Sequence, residues 1–428
     1  MSRLILLAIM VMPSTMAFPW MADMPGVKSA SEIEAQHAKR QATCPFNADH
    51  VPAAPITSEF PYAGAQNGLP SIFPGNFQVP ANGDTAHAFV APGPNDIRGP
   101  CPGLNTAANH NFISHDGITT FAELLDAQQN IYNVGYDLAV LLAVVGVGLT
   151  GDPVTEKMSI GCDATSRTSA TGSLLGSEGG LDSHNKFEGD ASLTRADFFF
   201  GDDHTFNGTY FAQMTELAYN GGNKTDIINS YAYNQSVMAQ HQFNRYQNSV
   251  ATNPNFFFGP KAILLYGAAS FVYELFPSHG PAGAPGFLDI GAFYGTSDPD
   301  ENGDVVFENT EHIPINPTGG PGWFSRTDAF NISGLVLQVV DLYTAHPVLF
   351  GGNVGVGNFD LLNFSTITNG ELSVNPQDVL CLLYQLVTDD APDSLNSVES
   401  LPSEILDFAT AKLNPIFANS GCTLASPL

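Results

Sequence analysis

Arg98-Gly99-Pro100-Cys101-Pro102-Gly103-Leu104-Asn105 sets a cysteine between two prolines, and helical periodicity begins directly after it. Pro102 suits the first position of a helix, where a missing N–H costs nothing. The Cys101 sulfur then sits at the positive end of a helix dipole, beside unpaired N–H groups that favour thiolate over thiol. A thiolate held this way is a good axial ligand for a haem iron. On Pro-Cys-Pro alone, a structural or disulfide-bonded cysteine opening an ordinary helix is the commoner reading. The rest of the chain reverses that balance.

Downstream of this stretch the chain reads as helices. Thr120-Phe121-Ala122-Glu123 fits a capping box. Leu124, Ile131, Val134, Leu138, Leu141 and Val145 then form one apolar face, which predicts a single long helix. Leu138 to Leu149 is apolar nearly all round, as a core helix is, and too short to span a bilayer. Asn207 caps a helix through Phe211, Met214 and Leu217 that ends at Gly221. Further helices are predicted at about 236–250 and 259–275. Another opens at Asn331 or Ser333, one at Asn375-Pro376, and the last carries Ile405, Leu406, Phe408 and Leu413. Alternating strand patterns are scarce and no βαβ alternation is visible. The fold class is therefore all-α, a single mostly helical domain with long loops over 96–428. Residues 41–95, rich in Pro, Gly, Ala and Asn, form an extended N-terminal arm.

The 428 residues carry 14 Lys+Arg against 42 Asp+Glu, a formal charge of −28. An acidic surface of this size argues against nucleic acid or an anionic membrane as partner. Arg3, the apolar run Leu4 to Met12, and Ser14-Thr15-Met16-Ala17 compose a signal peptide over 1–17. Lys39-Arg40 reads as a dibasic processing site that would release 18–40 as a propeptide. Sequons at Asn207, Asn223, Asn234, Asn331 and Asn363 agree with a secreted, extracellular glycoprotein. Five cysteines (44, 101, 162, 381 and 422) leave at least one thiol without an internal partner. Metal ligation at Cys101 would give a free thiol its reason in an oxidising compartment. Asp298-Pro299-Asp300-Glu301-Asn302-Gly303-Asp304 begins like an EF-hand loop, but its twelfth position is Asn309 where a bidentate Glu belongs, so it reads as a polar surface loop.

A second constellation is Phe187-Glu188-Gly189-Asp190-Ala191-Ser192-Leu193-Thr194-Arg195. Magnesium takes a few hard oxygens and leaves the rest to water or an anionic ligand. The Glu188 carboxylate, Gly189 carbonyl and Ser192 hydroxyl could supply three. Alone, the stretch reads more readily as an acidic helix N-terminus.

Together the two stretches resemble the fungal haem-thiolate peroxidases, the chloroperoxidase and unspecific (aromatic) peroxygenase family, and most closely its long-chain peroxygenase branch. The branch is marked by Pro-Cys-Pro and Glu-Gly-Asp-Ala-Ser-x-Thr-Arg, here Pro100 to Pro102 and Glu188 to Arg195. Gly103-Leu104-Asn105-Thr106 with His110, Ala196 to Gly201, Asn253-Pro254-Asn255-Phe256, and the segment from His346-Pro347 to Asn358 agree as well. The resemblance spans roughly 90–425. It implies a fold built around a buried haem b, with Cys101 as the proximal iron ligand. It implies Mg2+ on Glu188, Gly189 and Ser192, in contact with a haem propionate. Phe187 and Phe271 would line the substrate channel. Cys381 and Cys422 resemble the branch's C-terminal disulfide. Hydrogen peroxide and a small apolar or aromatic organic molecule would be the substrates.

One position departs from the pattern. The branch places its distal acid–base carboxylate seven residues after an Arg, in Arg-x6-Glu. That group moves a proton from one peroxide oxygen to the other. Here the stretch runs from Lys261 to Ala268. Ala268 moves no proton; Lys261 is the catalytic candidate, keeping a positive charge that could polarise a substrate, without the planar fork of arginine. Glu274 lies about 120° further round a helix, given 3.6 residues per turn. The short branch has a His where Gly189 stands, and His184 is a candidate by proximity in sequence. Three readings follow: a peroxidase or peroxygenase with an atypical distal site, a haem-thiolate enzyme of specialised metabolism that needs no peroxide, or a non-catalytic haem-binding protein.

Overall fold

Why the predicted long helix is two helices follows from its backbone. In the computed structural model, α2 (Phe121–Tyr132) ends at Asn133 in the left-handed conformation, φ 53°, and α3 (Tyr136–Thr150) starts after Gly135. The residues between them bond elsewhere: Phe330 N donates to Asn133 O at 3.0 Å and Gly135 N to Phe330 O at 2.7 Å. Asn and Gly are the residues that adopt such a break at little cost. The apolar periodicity runs across the break because Val134, between the helices, is buried as well, and so is nearly all of α3.

The structure describes residues 44–45, 50–162, 180–276, 284–315, 322–398 and 400–426. The expected signal peptide and propeptide, with Lys39-Arg40, lie outside them. Among the described residues are ten α-helices and seven short strands. The first helix is α1 (Pro102–Asn109), which Cys101 caps. Strands β1 (Ile118–Thr120) and β2 (Lys157–Ser159) pair antiparallel, Ile118 opposite Ser159. This pair delivers Thr120 to the start of α2, where the capping box forms with Glu123. Almost all of α3 is buried, as its all-round apolar sequence requires. It packs between α2 and α10 (Ser403–Phe417).

The other layer comprises α4 (Gly208–Ala218), α5 (Gln235–Thr252), α6 (Ile263–Glu274), α7 (Phe287–Tyr294), α8 (Ile332–Ala345) and α9 (Pro376–Gln385). Asn207, Asn234, Asn331 and Asn375 each cap their helix through the side chain. The first of these helices stops at Ala218, before Gly221. The α6 helix packs on α5 and α8, so that its other side is free to face Cys101. Small antiparallel sheets join β3 (Phe257–Phe258), β4 (Gly351–Asn353) and β5 (Phe359–Leu361), and β6 (Ile367–Thr368) with β7 (Glu371–Leu372). Residues 50–101 carry no α-helix; their amides at Ala65, Gly68 and Ser71 bond to Asn130, Asp126 and Gln129 along α2. Among the described residues no helix is long and apolar enough to cross a membrane.

Four cysteines pair, Cys381 with Cys422 and Cys44 with Cys162, and Cys101 is the free thiol. The 298–304 segment is a surface turn. Asp300 Oδ1 accepts from the amides of Asn302 and Asp304, at 2.8 and 2.9 Å, and Lys224 Nζ donates to Asn302 O at 2.9 Å.

Two buried histidines give a pH prediction. His110 Nε2 accepts from Ile313 N at 3.1 Å, and Nδ1 faces the His87 carbonyl at 2.8 Å, so the ring is neutral and protonated on Nδ1. His241 donates from Nε2 to Leu193 O at 2.8 Å. Burial holds both rings down to about 4 from an ordinary 6.5. As pH falls below about 6.5 the unfolded chain takes up protons that the native chain does not. Stability therefore drops until about pH 4 and then levels, by up to roughly 3 kcal/mol per ring. Denaturant titrations at pH 7.5 and 4.5 check this: His241→Gln should lose less over the window than the wild type, and an equal loss would refute the assignment.

Candidate active site

Cys101 stands at the mouth of α1 with extended backbone, φ −92° and ψ 108°. Its loop is fixed on both sides. Asn105 Oδ1 accepts from Gly99 N and Asn105 Nδ2 donates to Gly99 O, both at 3.0 Å. A Cβ on Gly99 would lie 1.9 Å from Ile160 O, so no other residue fits there. Tyr132, on α2, donates to Gly103 O at 2.8 Å from the first turn's other side. Burial pushes the Cys101 thiol up; the N–H groups of Leu104 and Gly103 and the Arg195 cation pull it down. These are the helix-terminus amides expected from Pro-Cys-Pro.

The sulfur opens onto a cavity of about 230 Å³ with mostly apolar walls. Leu104 and Tyr132 line it near Cys101. Phe187, Glu188, Gly189 and Ser192 form one wall, and α6 forms another through Ile263, Gly267, Ala268 and Phe271. The chain therefore brings together, around one cavity, the candidate axial cysteine, the three magnesium candidates and both phenylalanines expected in the channel. Among the described residues Glu188 is the one carboxylate on this wall.

Lys261 does not reach it. It is buried on the short 3₁₀ turn Pro260–Ala262 and lines an adjoining recess with Phe187, Glu188, Gly189 and Leu265. Its charge acts on Asp393, as does that of Lys186. Glu274 also points elsewhere: Arg326 donates to its Oε2 at 2.8 Å and to its carbonyl at 2.7 Å. His184 stacks on Phe198 and bonds through Nδ1 to Glu188 Oε2 at 2.9 Å. It thus holds Glu188 and does not face the cavity.

The acidic motif is two structures interleaved. Asp190 and Asp197 are turned inward as pillars. Asp190 accepts from Phe198 N at 3.2 Å and, through its other oxygen, from Phe257 N and Asn253 Nδ2, both at 3.1 Å. Asp197 accepts from Ala191 N at 3.0 Å, Ser249 Oγ at 2.8 Å and Arg245 at 3.2 Å. Both members of the Arg245–Asp197 pair are almost wholly buried. Arg245→Met would leave Asp197 uncompensated, and a loss of about 3–5 kcal/mol in denaturant unfolding is expected. An effect under 1 kcal/mol would refute it. With these acids facing inward, Glu188, Gly189 and Ser192 are presented outward to the cavity.

Glu188 is pushed well up by burial, then by the Asp203 carboxylate beside it. Among the described residues its Oε1 meets no N–H or O–H donor. One ligand atom each from His184, Glu188 and Asp203 lies within 4.8 Å of the others. Concentrated buried negative charge of this kind suits a cation. The free thiol aimed into an apolar cavity, with stabilising amides behind it, suits a haem iron. The residues present thus fit a haem iron at Cys101 and, around Glu188, a cation.

Asn105, Asn253, Arg245 and Glu311, which brace these loops, were not singled out from sequence as site residues. Asn105 and Asn253 stand within the quoted flanks, whereas nothing in spacing points to Arg245 or Glu311.

Residues 87–328 match the family model described as "Peroxidase, family 2". The chain is 31% identical over 364 residues to the dothistromin biosynthesis peroxidase of Dothistroma septosporum, covering 80% of this chain and 82% of that one. It is 38% identical over 213 residues to the aromatic peroxygenase of Coprinellus radians, 48% of this chain and 77% of that one. It is 33% identical over 142 residues to the chloroperoxidase of Leptoxyphium fumago, 32% of this chain and 35% of that one.

Proposed function

The chain belongs to the family 2 peroxidases, the fungal haem-thiolate peroxidases and peroxygenases, and is an oxidoreductase acting on peroxide; on that premise we propose that it oxidises or oxygenates a small apolar or aromatic molecule with a weakened distal acid–base site. The observation that carries this reading is the cavity shared by Cys101 and Ala268. A haem held on Cys101 would supply peroxide activation, and with it the capacity to transfer oxygen to the substrate or to accept electrons from it.

The chain's own residues do the rest. Cys101 would give the iron a thiolate ligand; burial alone favours the thiol, the amides at the start of α1 partly offset it, and the iron itself would complete the ionisation. Glu188, the Gly189 carbonyl and Ser192 hold Mg2+. His184 is a nitrogen donor, less suited to magnesium, and its bond to Glu188 orients that carboxylate. Phe187 and Phe271 exclude water and orient the substrate by contact. Ala268 offers no proton, so transfer between the peroxide oxygens falls to water or to groups further away. The leader sequence and the sequons support a secreted glycoprotein. Asn223, Asn234, Asn331 and Asn363 are exposed.

The competing reading, chemistry without peroxide, is favoured by Ala268 but loses the Lys261 cation as a group that could polarise the substrate, since Lys261 lies off the cavity. Conversion of aromatic substrates by the haem-loaded protein, with and without hydrogen peroxide, separates the two. Turnover that requires peroxide supports the proposal. Equal turnover without it, or none in either, would sink it.

A further inference from the structure

The wall behind Cys101 holds a charge that neither motif contains. Glu311 is 1% exposed, 206 residues beyond Asn105 in sequence. Its Oε1 accepts from Asn105 Nδ2 at 2.8 Å, and its main-chain oxygen accepts from Asn109 Nδ2 at 2.8 Å. Asn105 is the residue that grips Gly99 on both main-chain atoms. One side chain therefore links this carboxylate to the loop of the axial ligand. Among the described residues Glu311 Oε2 meets no hydrogen-bond donor.

A buried cation opposes it. Arg195, the last residue of the acidic motif, is 3% exposed; among the described residues its hydrogen bonds stay within its own turn, to Thr194 O and Oγ1, and Nε has no acceptor. Thr194 lines the cavity of Cys101. Arg98 completes the set: it is anchored on Asn109 Oδ1 at 2.9 and 2.7 Å. Buried charges act on one another through a lower dielectric than surface charges and are little screened by salt.

We propose that Glu311 and Arg195 are an opposed pair of fixed charges that sets how strongly Cys101 donates to its iron, Glu311 strengthening the donation and Arg195 restraining it. Both are positioning residues, acting through Cys101 without touching substrate. The directions agree with their electrostatic effects on the sulfur, since Arg195 favours its ionised form and Glu311 opposes it. The proposal rests on Cys101 being the thiolate ligand.

The test uses the haem-loaded full chain and reads the Fe(III)/Fe(II) reduction potential and the ferrous–CO absorption band. Glu311→Gln keeps an acceptor for Asn105 and removes the charge. Its potential should shift upward, because a negative charge near the iron disfavours the reduced state. Arg195→Gln should shift downward, and Arg195→Lys should stay near the wild type. Opposite signs distinguish tuning from packing, since loosening the loop would move both variants the same way. Shifts of one sign, or none, overturn the proposal. If Arg195→Gln does not fold, Glu311→Gln decides alone, and a zero or downward shift overturns it. A wild type without a thiolate-type CO band would instead overturn the reading of Cys101, and the proposal with it.

Discussion

Cys101→Ser should abolish peroxide-dependent oxidation while leaving the fold intact. Serine replaces sulfur with an oxygen of similar reach, so the α1 entrance and the Asn105–Gly99 bonds survive. What is lost is a polarisable, readily ionised donor. A serine hydroxyl is not appreciably ionised near neutral pH, and the apolar cavity wall disfavours its charged form further. The activity lost should exceed the roughly 10²–10³-fold that removal of one hydrogen-bond donor costs in other enzymes. The ferrous–CO band should lose its thiolate character, and the midpoint of denaturant unfolding should stay near the wild type. Retained activity would mean that the iron is held elsewhere.

That Cys101 is the place to cut was legible in the sequence for a physical reason. Pro102 at the first helical position and the odd cysteine count are local facts, and the structure pairs the other four cysteines. Helix starts were legible in the same way: Thr120, Asn207, Asn331 and Asn375 cap as their side-chain chemistry dictates. The break at Asn133 was not, because it is decided by a backbone exchange with Phe330 that no local pattern records. The pairing of Cys44 with Cys162 was likewise beyond local reading, since separation in sequence says nothing of proximity. Glu311 marks the limit most clearly. It is a lone acid in an unpatterned segment, and only the folded chain sets it against Asn105.

Position 268 turns a local departure into the largest predicted gain. Ala268→Glu should raise the rate of reaction with hydrogen peroxide in stopped-flow absorbance by about 10²–10⁴-fold, the usual worth of a placed general acid–base. The structure favours the substitution on two counts. Ala268 already lines the cavity that holds Cys101, on the helix that carries Phe271, so a carboxylate there would open toward the ligand site. Its neighbours Leu264, Leu265 and Val272 are apolar, which would raise its pKa toward neutrality and make it a better proton carrier at working pH. The same burial should cost stability, on the order of 1–3 kcal/mol for a polar group without a full set of partners. Lys261→Arg alone should change little, because position 261 lies in the recess and not on the cavity wall. The comparison of wild type with Ala268→Glu carries the decision. A slow wild type made fast by the carboxylate identifies proton transfer as the missing step. A wild type that already reacts fast, and is unmoved by the substitution, would show that another group in this chain moves the proton.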